Sequence, residues 1–253
     1  MENESIKFSV IVPNYKDVRI KRCIESLVRQ TYNNYELIVV DGKSESKEIY
    51  DIYKDSRIDK LIIEPDNGIF DAINKGILIS EGDIILLLGS DDYLLENHVL
   101  ESVSRQFRIR PNLDIVGVQC IFVNHRGKVI REWNYNKISR MRILFGDLPP
   151  HFSLFIRKRL YDETGLFALQ NTNNLAEDSI WLVRMAYGHM NLTTTVIHNC
   201  HTVMEIGGTS NKSIKNIILQ NYKLYLYLRR SHIKYPAIFI IRKLLSKLFQ
   251  LRL

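Results

Sequence analysis

The chain has 253 residues, 45% hydrophobic and 25% charged, with a formal net charge of +7. This composition supplies a core for one large domain and excludes a disordered or low-complexity chain. Its three cysteines, Cys23, Cys120 and Cys200, contain no CxxC pair, which argues against a disulfide framework or a zinc ribbon. We expect neither a signal peptide nor a transmembrane span, because no suitable apolar run is present.

Positive charge is concentrated in the last part of the chain. From Ile206 onward there are ten Lys or Arg residues and no Asp or Glu, which leaves a net charge of −3 for everything before. Such asymmetry indicates an anionic partner for the tail. Between Pro236 and Leu253, apolar and basic residues fall largely on opposite sides of a helix, a pattern typical of membrane-interface helices. A helix of the core or of a dimer interface is the alternative.

The first half alternates between strand and helix patterns. Apolar runs predict strands at Lys7 to Pro13, Tyr35 to Val40 and Lys60 to Glu64. Helical spacing between them covers Val18 to Arg29 and Ser44 to Asp55. This alternation predicts βαβ units in a parallel sheet with right-handed crossovers.

The apolar run Ile84 to Leu88 predicts a buried parallel strand, and it stops at Gly89-Ser90-Asp91-Asp92. Ligands of open α/β sheets bind beyond the carboxyl ends of the strands. Two carboxylates there can bind a hard divalent cation, which in turn holds a diphosphate. The alternative is that these residues cap a helix, which we expect from Tyr93 to Gln106.

The second half adds antiparallel strands, because a hairpin-like turn follows the strand Leu113 to Val123. Further strands are predicted at Val129 to Trp133, Ser153 to Ile156 and Thr193 to Cys200. Helices are predicted at Arg157 to Thr164, Ser179 to Gly188, Ile214 to Arg230 and Pro236 to Leu253.

Several segments, taken in order, resemble family 2 glycosyltransferases. They are SVIVPNY (9–15), IESLVRQTYNNYELIVVDGKS (24–44), EPDNGIFDAINKG (64–76), GDIILLLGSDD (82–92) and AEDSIWLVRMA (176–186). The resemblance implies the GT-A fold: α/β, with a Rossmann-like, mostly parallel central sheet flanked by helices. It predicts a catalytic domain at 1–212, with a nucleotide-sugar half at 1–110 and an acceptor half at 111–212. A basic helical segment at 213–253 follows.

The resemblance also assigns roles to residues of a nucleotide-sugar site. The ends of the first two strands would hold the base and ribose through Pro13, Tyr15 and Asp41. A donor loop and the helix after it would contribute Asp66, Gly68, Asp71, Asn74 and Lys75. A carboxylate can accept from an imide N–H, a tyrosine ring can stack on a base, and a lysine can meet a phosphate.

The remaining roles concern the chemistry. Asp92 would bind Mn²⁺ or Mg²⁺, and Asp91 would contact the ribose, although Ser90 stands where a strict DxD motif has its first Asp. Asp178 would be the general base that deprotonates the acceptor hydroxyl. His151 would lie near the acceptor side, and the Gly207-Gly208 loop would close over the phosphates.

The implied function is an inverting, metal-dependent transfer from a nucleotide sugar, here a UDP-sugar, to a lipid-linked or oligosaccharide acceptor. The subgroup resembled builds bacterial surface polysaccharides of the colanic acid or O-antigen type. The enzyme would lie in the cytoplasm, peripheral on the inner face of the plasma membrane, with no nucleic-acid partner. One alternative is a nucleotidyltransferase, although the segment 13–20 lacks the glycine-rich loop of that class. The other is a non-catalytic protein that binds membrane or nucleic acid.

Overall fold

The computed structural model describes residues 5–169, 176–206, 214–231, 233, 235–248 and 250. Its first half contains β1 (Phe8–Asn14), α1 (Ile20–Val28), β2 (Tyr35–Asp41), α2 (Lys47–Lys54), β3 (Lys60–Ile63), α3 (Ile69–Ile79), β4 (Ile84–Leu87), β5 (Tyr93–Leu94) and α4 (Val99–Ile109). Its second half contains β6 (Ile115–Val123), β7 (Val129–Trp133), α5 (Arg140–Leu144), a 3₁₀ turn (His151–Ser153), β8 (Leu154–Arg157), α6 (Lys158–Thr164), α7 (Glu177–Gly188), β9 (Thr194–Glu205), α8 (Ile214–Arg230) and α9 (Pro236–Leu248).

One sheet runs through the described part of the chain. Eight of its nine strands follow the order β3-β2-β1-β4-β8-β6-β9-β5, and β7 pairs with β6. The strands β3, β2, β1 and β4 are mutually parallel, whereas β8 is antiparallel to both β4 and β6. The predicted α/β architecture is therefore confirmed, with the antiparallel strands in the second half. The carboxyl ends of the first four strands lie along one edge of the sheet.

Two apolar clusters sandwich the sheet, because alternate strand residues point to opposite faces. In β1, Ile11 joins one cluster, whereas Val10 and Val12 join the other. The helices α1, α2 and α4 cover the Val10 side, and α3 and α5 to α9 cover the Ile11 side. Burial on both faces explains why these strands are continuous apolar runs.

The segment after β4 differs from the sequence-based prediction. A helix was expected to begin at Tyr93, but Tyr93 and Leu94 form a strand, paired with Val203 and Thr202 of β9. The helix begins only at Val99 and has His98 at its N-cap position. Asp91 and Asp92 therefore cap no helix, which removes the structural alternative for that pair.

Two further departures are in the second half. The strand predicted to end at Cys200 continues to Glu205 because it pairs with β6 along most of its length, across a register shift at Val118/Gln119. The short helix α5 lies in a segment for which no element was predicted. Among the described residues, no helix combines the length and the apolarity needed to span a membrane.

The tail helices pack against the second half of the chain. Leu224 and Leu228 of α8 and Phe239 of α9 are buried in the core cluster on the Ile11 side. A Cβ built on Gly146 would lie 2.5 Å from the Phe239 carbonyl oxygen, so α9 rests directly on the backbone after α5. The division at residue 213 stays a prediction.

Gly76 of α3 provides a test of this packing. A Cβ built there would lie 2.4 Å from Ile11 Cγ2. We expect Gly76→Ala to lower the free energy of unfolding by ~1 kcal/mol or more. The steric clash of the added methyl group destabilises the fold by more than the higher helix propensity of alanine stabilises it. Urea unfolding measures this. Gly188→Ala is the matched control, since nothing lies within 4 Å of its Cβ position. An unchanged or raised stability of Gly76→Ala would contradict the packing.

Candidate active site

Tyr15 and Asp66 meet above the end of β2. A Cβ built on Gly42 would lie 2.3 Å from Asp66 Oδ2 and 3.3 Å from a carbon of the Tyr15 ring. The Tyr15 side chain is 60% exposed. Only glycine at position 42 lets these two side chains approach the backbone. The result is an open aromatic face beside a carboxylate, which is suitable for a planar ring with an N–H group.

Asp41 has a different environment from these two residues. It is fully buried, and its Oδ1 accepts from the Ser44 backbone N–H at 2.5 Å. Its Oδ2 accepts from the hydroxyls of Ser44 at 2.7 Å and Tyr53 at 2.6 Å. Burial, and next this hydrogen bond, raise the pKa of Tyr53. Asp41 thus holds the turn after β2, and its contact with a nucleotide stays a prediction. Pro13, also buried, pairs with Val40 at the end of β1.

The predicted donor loop is closed by internal bonds. Asp66 Oδ1 accepts from the Gly68 N–H at 2.8 Å, and Gly68 has φ +106°, a conformation that favours glycine. Lys75 donates to the Pro65 carbonyl at 2.8 Å and pairs with Glu64 at 2.9 Å and Asp71 at 3.7 Å. Burial opposes its charge, but the Glu64 and Asp71 carboxylates raise the pKa of Lys75. The lysine is therefore held charged beside the loop.

Asn74 connects this donor region to the second half of the chain. Its Nδ2 donates to the Phe167 carbonyl at 2.8 Å, and its Oδ1 accepts from the Phe167 N–H at 3.0 Å. The amide is buried and faces the core side of α3. This two-bond contact was not predicted, since nothing in the local sequence indicates a partner 93 residues away.

Asp91 and Asp92 converge on one point beside Gly89. A Cβ built on this glycine would lie 2.6 Å from Asp92 Oδ2 and 3.0 Å from Asp91 Oδ1. Asp92 is only 3% exposed. Burial, followed by the neighbouring Asp91 charge, raises the pKa of Asp92 well above its usual value, and burial raises that of Asp91. Two carboxylate oxygens in a glycine cradle are a donor set for a hard cation.

Two arginines and a glutamate surround this pair, and the sequence did not single them out. Arg19 pairs with Asp17, with Glu205 at 2.7 Å and with Asp91 at 3.5 Å. Arg22 donates to the Asp91 carbonyl at 2.7 Å and to Glu205 at 3.0 Å. The Glu205 N–H in turn donates to Asp92 Oδ1 at 3.3 Å. The end of β9 is thereby bonded to the end of β4.

Asp178 lies in the first turn of α7, and its neighbour Glu177 behaves differently. Glu177 is 1% exposed and accepts from the Ala168 N–H at 2.8 Å, which makes it a structural acid. Asp178 is partly exposed, and its Oδ1 accepts from the Ser179 N–H at 2.6 Å. Asp178 is therefore the member of the pair that a substrate can reach.

His151 packs beside Asp178. Its Nε2 is 2.9 Å from the Tyr161 hydroxyl, and its ring contacts Phe167 and Trp181. Burial lowers the pKa of His151 to about 4, although the Asp178 charge opposes this. The 3₁₀ turn that carries it contacts both β4 and α7. His151 is thus a neutral, buried support between β4 and the helix of Asp178.

A glycine pair and two histidines lie in or after β9. The Gly207-Gly208 loop lies outside the described residues. His201 pairs with Glu96 at 2.7 Å and His198 with Gln119 at 2.9 Å. In the ranges that the structure describes, no three His, Cys, Asp or Glu side chains are grouped to hold a metal.

Comparison with known proteins identifies the family. Residues 9–165, more than half of the chain, match the family model "Glycosyl transferase family 2". The chain belongs to this family, which accounts for the order of the motifs in the first half. Membership also disfavours the nucleotidyltransferase and binding-protein alternatives.

Curated relatives agree with this assignment. The PGL/p-HBAD biosynthesis glycosyltransferase of Mycobacterium bovis (strain BCG / Pasteur 1173P2) is 29% identical over 171 residues, 64% of this chain and 64% of the relative. The chain thus matches a little under two thirds of the length of that relative. Glycosyltransferase GlyG of Streptococcus pneumoniae serotype 4 is 34% identical over 114 residues, 43% of this chain and 38% of GlyG.

Solved structures confirm the GT-A fold. S. aureus TarS 1-349 in complex with UDP-GlcNAc superposes with a TM-score of 0.70 at 18% identity, covering 94% of this chain and 72% of TarS. The mannosyltransferase PcManGT of Pyrobaculum calidifontis, in complex with GDP-Man and Mn²⁺, gives a TM-score of 0.63 at 15% identity, covering 94% of this chain and 69% of PcManGT. At these identities the likeness concerns the fold.

The neutral His151 predicts a pH effect on stability. Its pKa falls from 6.5 in the unfolded chain to about 4 in the fold, so the unfolded state binds the extra proton first. Stability is therefore lost as pH falls below about 6.5. Between about pH 7 and about pH 5 we expect wild type to lose ~2 kcal/mol more than His151→Asn in urea unfolding. His125→Asn, in an exposed turn, is the control and should track wild type. If all three proteins lost the same free energy of unfolding over this pH range, His151 would not be a neutral buried imidazole.

Proposed function

We propose that the protein is an inverting, metal-dependent glycosyltransferase that moves a sugar from a UDP-sugar to a lipid-linked or oligosaccharide acceptor in bacterial surface polysaccharide synthesis. The observation that carries the proposal is the convergence of Asp91 and Asp92 beside Gly89, at the edge where the parallel strands end. Ligand sites of α/β sheets lie at this edge.

Charge supports a divalent cation at this position. When ionised, Asp17, Asp91, Asp92 and Glu205 face Arg19 and Arg22, four carboxylates against two guanidinium groups, a net charge of −2. Mn²⁺ or Mg²⁺ would balance it. Mg²⁺ is commonly bound through one or two carboxylates plus substrate phosphates, which matches what Asp92 and Asp91 offer. When bound, the cation would neutralise charge on the leaving diphosphate. Asp91 would contact the ribose.

Asp178 is the proposed general base. Its carboxylate is partly exposed at the start of α7, whereas Glu177 is buried and engaged. A carboxylate in this role takes the proton of the acceptor hydroxyl as that oxygen attacks the anomeric carbon. Attack on the face opposite the leaving nucleotide inverts the configuration. One base suffices, unlike the paired carboxyl groups of a glycosidase.

The nucleotide would lie over Gly42. The exposed ring of Tyr15 offers a stacking surface, and Asp66 can accept from the imide N–H of uracil. Asp41 would act by holding the turn that places Gly42. Lys75, charged and anchored by Glu64, would add positive charge near the donor. A UDP-sugar is also the ligand of TarS, whose fold is similar.

The acceptor and its location complete the proposal. A lipid-linked saccharide would be presented at the inner face of the plasma membrane, so the enzyme would act there as a peripheral protein. The basic tail supports this, because anionic lipid attracts Lys and Arg.

Substitution of the proposed base tests the chemistry. Asp178→Asn should abolish sugar transfer and leave nucleotide affinity near wild type, because the amide cannot accept the hydroxyl proton. Transfer is measured as nucleotide release with acceptor present, and affinity by calorimetry. Asp162→Asn, the same change at an exposed position on α6, is the control. Loss of nucleotide binding in Asp178→Asn, without a separate defect in transfer, would assign Asp178 to the donor site instead.

The metal site has an independent test. The thermal unfolding temperature of wild type should rise when UDP and Mn²⁺ are added together. A ligand at 100 times its Kd adds ~2.7 kcal/mol to the free energy of unfolding. Asp92→Asn should lose the part of this rise that requires Mn²⁺. Asp55→Asn, exposed after α2, should keep it. A rise that is identical with and without Mn²⁺ would rule out metal-dependent donor binding.

A further inference from the structure

Two elements distant in sequence share one exposed apolar surface. On α5 and the residue after it, Met141 and Phe145 are 53% and 49% exposed. On α9, Ile238, Ile241 and Leu245 are 51%, 55% and 45% exposed. We call these five residues the α5–α9 surface. The tail sequence alone indicates only the second group.

Contacts between the two elements make the surface continuous. The Phe239 carbonyl of α9 lies against Gly146, one residue after Phe145. The Arg242 guanidinium lies 5.6 Å from the centroid of the Phe145 ring. Arg242 lies four positions after Ile238 and three before Leu245 on α9, the spacings at which helical side chains are neighbours.

The surface is fixed to the catalytic domain. Ile143 of α5 is fully buried, and Arg140 Nε donates to the Ala186 carbonyl of α7 at 2.8 Å. Phe239 is buried against the same core. The exposed apolar groups therefore belong to a packed unit that includes α7, the helix that begins with Glu177-Asp178.

Basic residues predominate on the elements that carry and adjoin the surface. Neither α5, α8 nor α9 contains an Asp or Glu. Arg242 is exposed within the surface, and Arg229 and Arg230 are exposed at the end of α8. The nearby Asp147 is paired with Arg142. Apolar groups among exposed arginines are typical of elements that enter a lipid interface.

We propose that the α5–α9 surface docks onto an anionic membrane, with its apolar side chains below the headgroups and Arg242 at the lipid phosphates. This rests on the proposed function in its form with a lipid-linked acceptor. A second copy of the chain is the competing occupant. In a two-fold dimer the patch would meet itself, which would bring the arginines of one copy toward those of the other. An anionic membrane neutralises the same charges.

Docking through both elements has a consequence for catalysis. Because α5 is bonded to α7, the membrane would hold the first turn of α7 at a defined orientation.

The test measures binding of the full chain to vesicles by cosedimentation. The vesicles contain phosphatidylcholine alone or phosphatidylcholine with phosphatidylglycerol. The variants are Met141→Ser/Phe145→Ser on α5 and Ile241→Ser/Leu245→Ser on α9. The control, Leu78→Ser/Met190→Ser, removes apolar groups that are 69% and 71% exposed elsewhere.

Wild type should bind the anionic vesicles more strongly than the neutral ones. Each surface variant should lower anionic-vesicle partition about tenfold or more, because apolar area in the interface is lost. Arg242→Gln should weaken binding to anionic vesicles and leave the weaker binding to neutral ones unchanged. The control should bind like wild type. All variants should keep the thermal stabilisation by UDP with Mn²⁺, which shows an intact fold and separates membrane docking from donor binding.

Several results would overturn the proposal. If the α5 variant bound anionic vesicles as strongly as wild type, α5 would not contribute to docking and the tail alone would contact the membrane. Equal binding to neutral and anionic vesicles would remove the role of charge. A dimer in sedimentation velocity that the same substitutions dissociate would assign the surface to a second copy. If UDP with Mn²⁺ did not stabilise wild type against thermal unfolding, while wild type still bound vesicles, the result would count against the proposed function and not against membrane docking.

Discussion

The structure has to hold two carboxylates together in a site that is almost closed to water. Asp91 and Asp92 follow directly from β4, the strand at the centre of the fold, so their backbone has little freedom to move apart. Like charges at this separation repel, and low polarity strengthens the repulsion. The surrounding residues are arranged around this problem. Arg19 and Arg22, at the start of α1, neutralise part of the negative charge of these carboxylates. The end of the sheet keeps a net negative charge.

Compensation comes from parts of the chain that are far apart in sequence. The Glu205 carboxylate pairs with both arginines, and its N–H donates to Asp92. The end of the last strand is therefore held by the same charged groups that surround Asp91 and Asp92. The pairing of β5 with β9 brings the two strand ends into register. The strands β6 and β9 are parallel to each other, and β6, like β4, is antiparallel to β8, so the carboxyl ends of β4 and β9 lie at the same edge of the sheet.

The sequence was a good guide to local structure and a poor one to contacts. Buried parallel strands and amphipathic helices have strong periodic patterns, and the boundaries of β1, α1, β2 and β4 fall close to the predicted ones. The two-residue strand β5 is too short for a pattern, and tertiary pairing overrode the helical appearance of the segment from Tyr93. The candidate site residues come from motifs, and their roles stay predictions. The roles of Arg19, Arg22 and Glu205 depend on pairings across more than 180 residues, for which a single sequence has no signal.

The predicted site is also not uniform. Tyr15 and Asp66 are accessible to a ligand, whereas the side chains of Asp41 and Asn74 are buried and already hydrogen-bonded within the protein. Motif residues thus divide into those that can touch substrate and those that shape the site, a distinction that requires knowledge of burial.

The bond between Asn74 and Phe167 joins the helix behind the donor loop to the segment that precedes the helix of Asp178. A buried side-chain amide with both bonds satisfied is costly to separate, because each unpaired group would lose its partner away from water. The two halves are therefore mechanically coupled at this point. A displacement of α3 would therefore be passed directly to the backbone at Phe167.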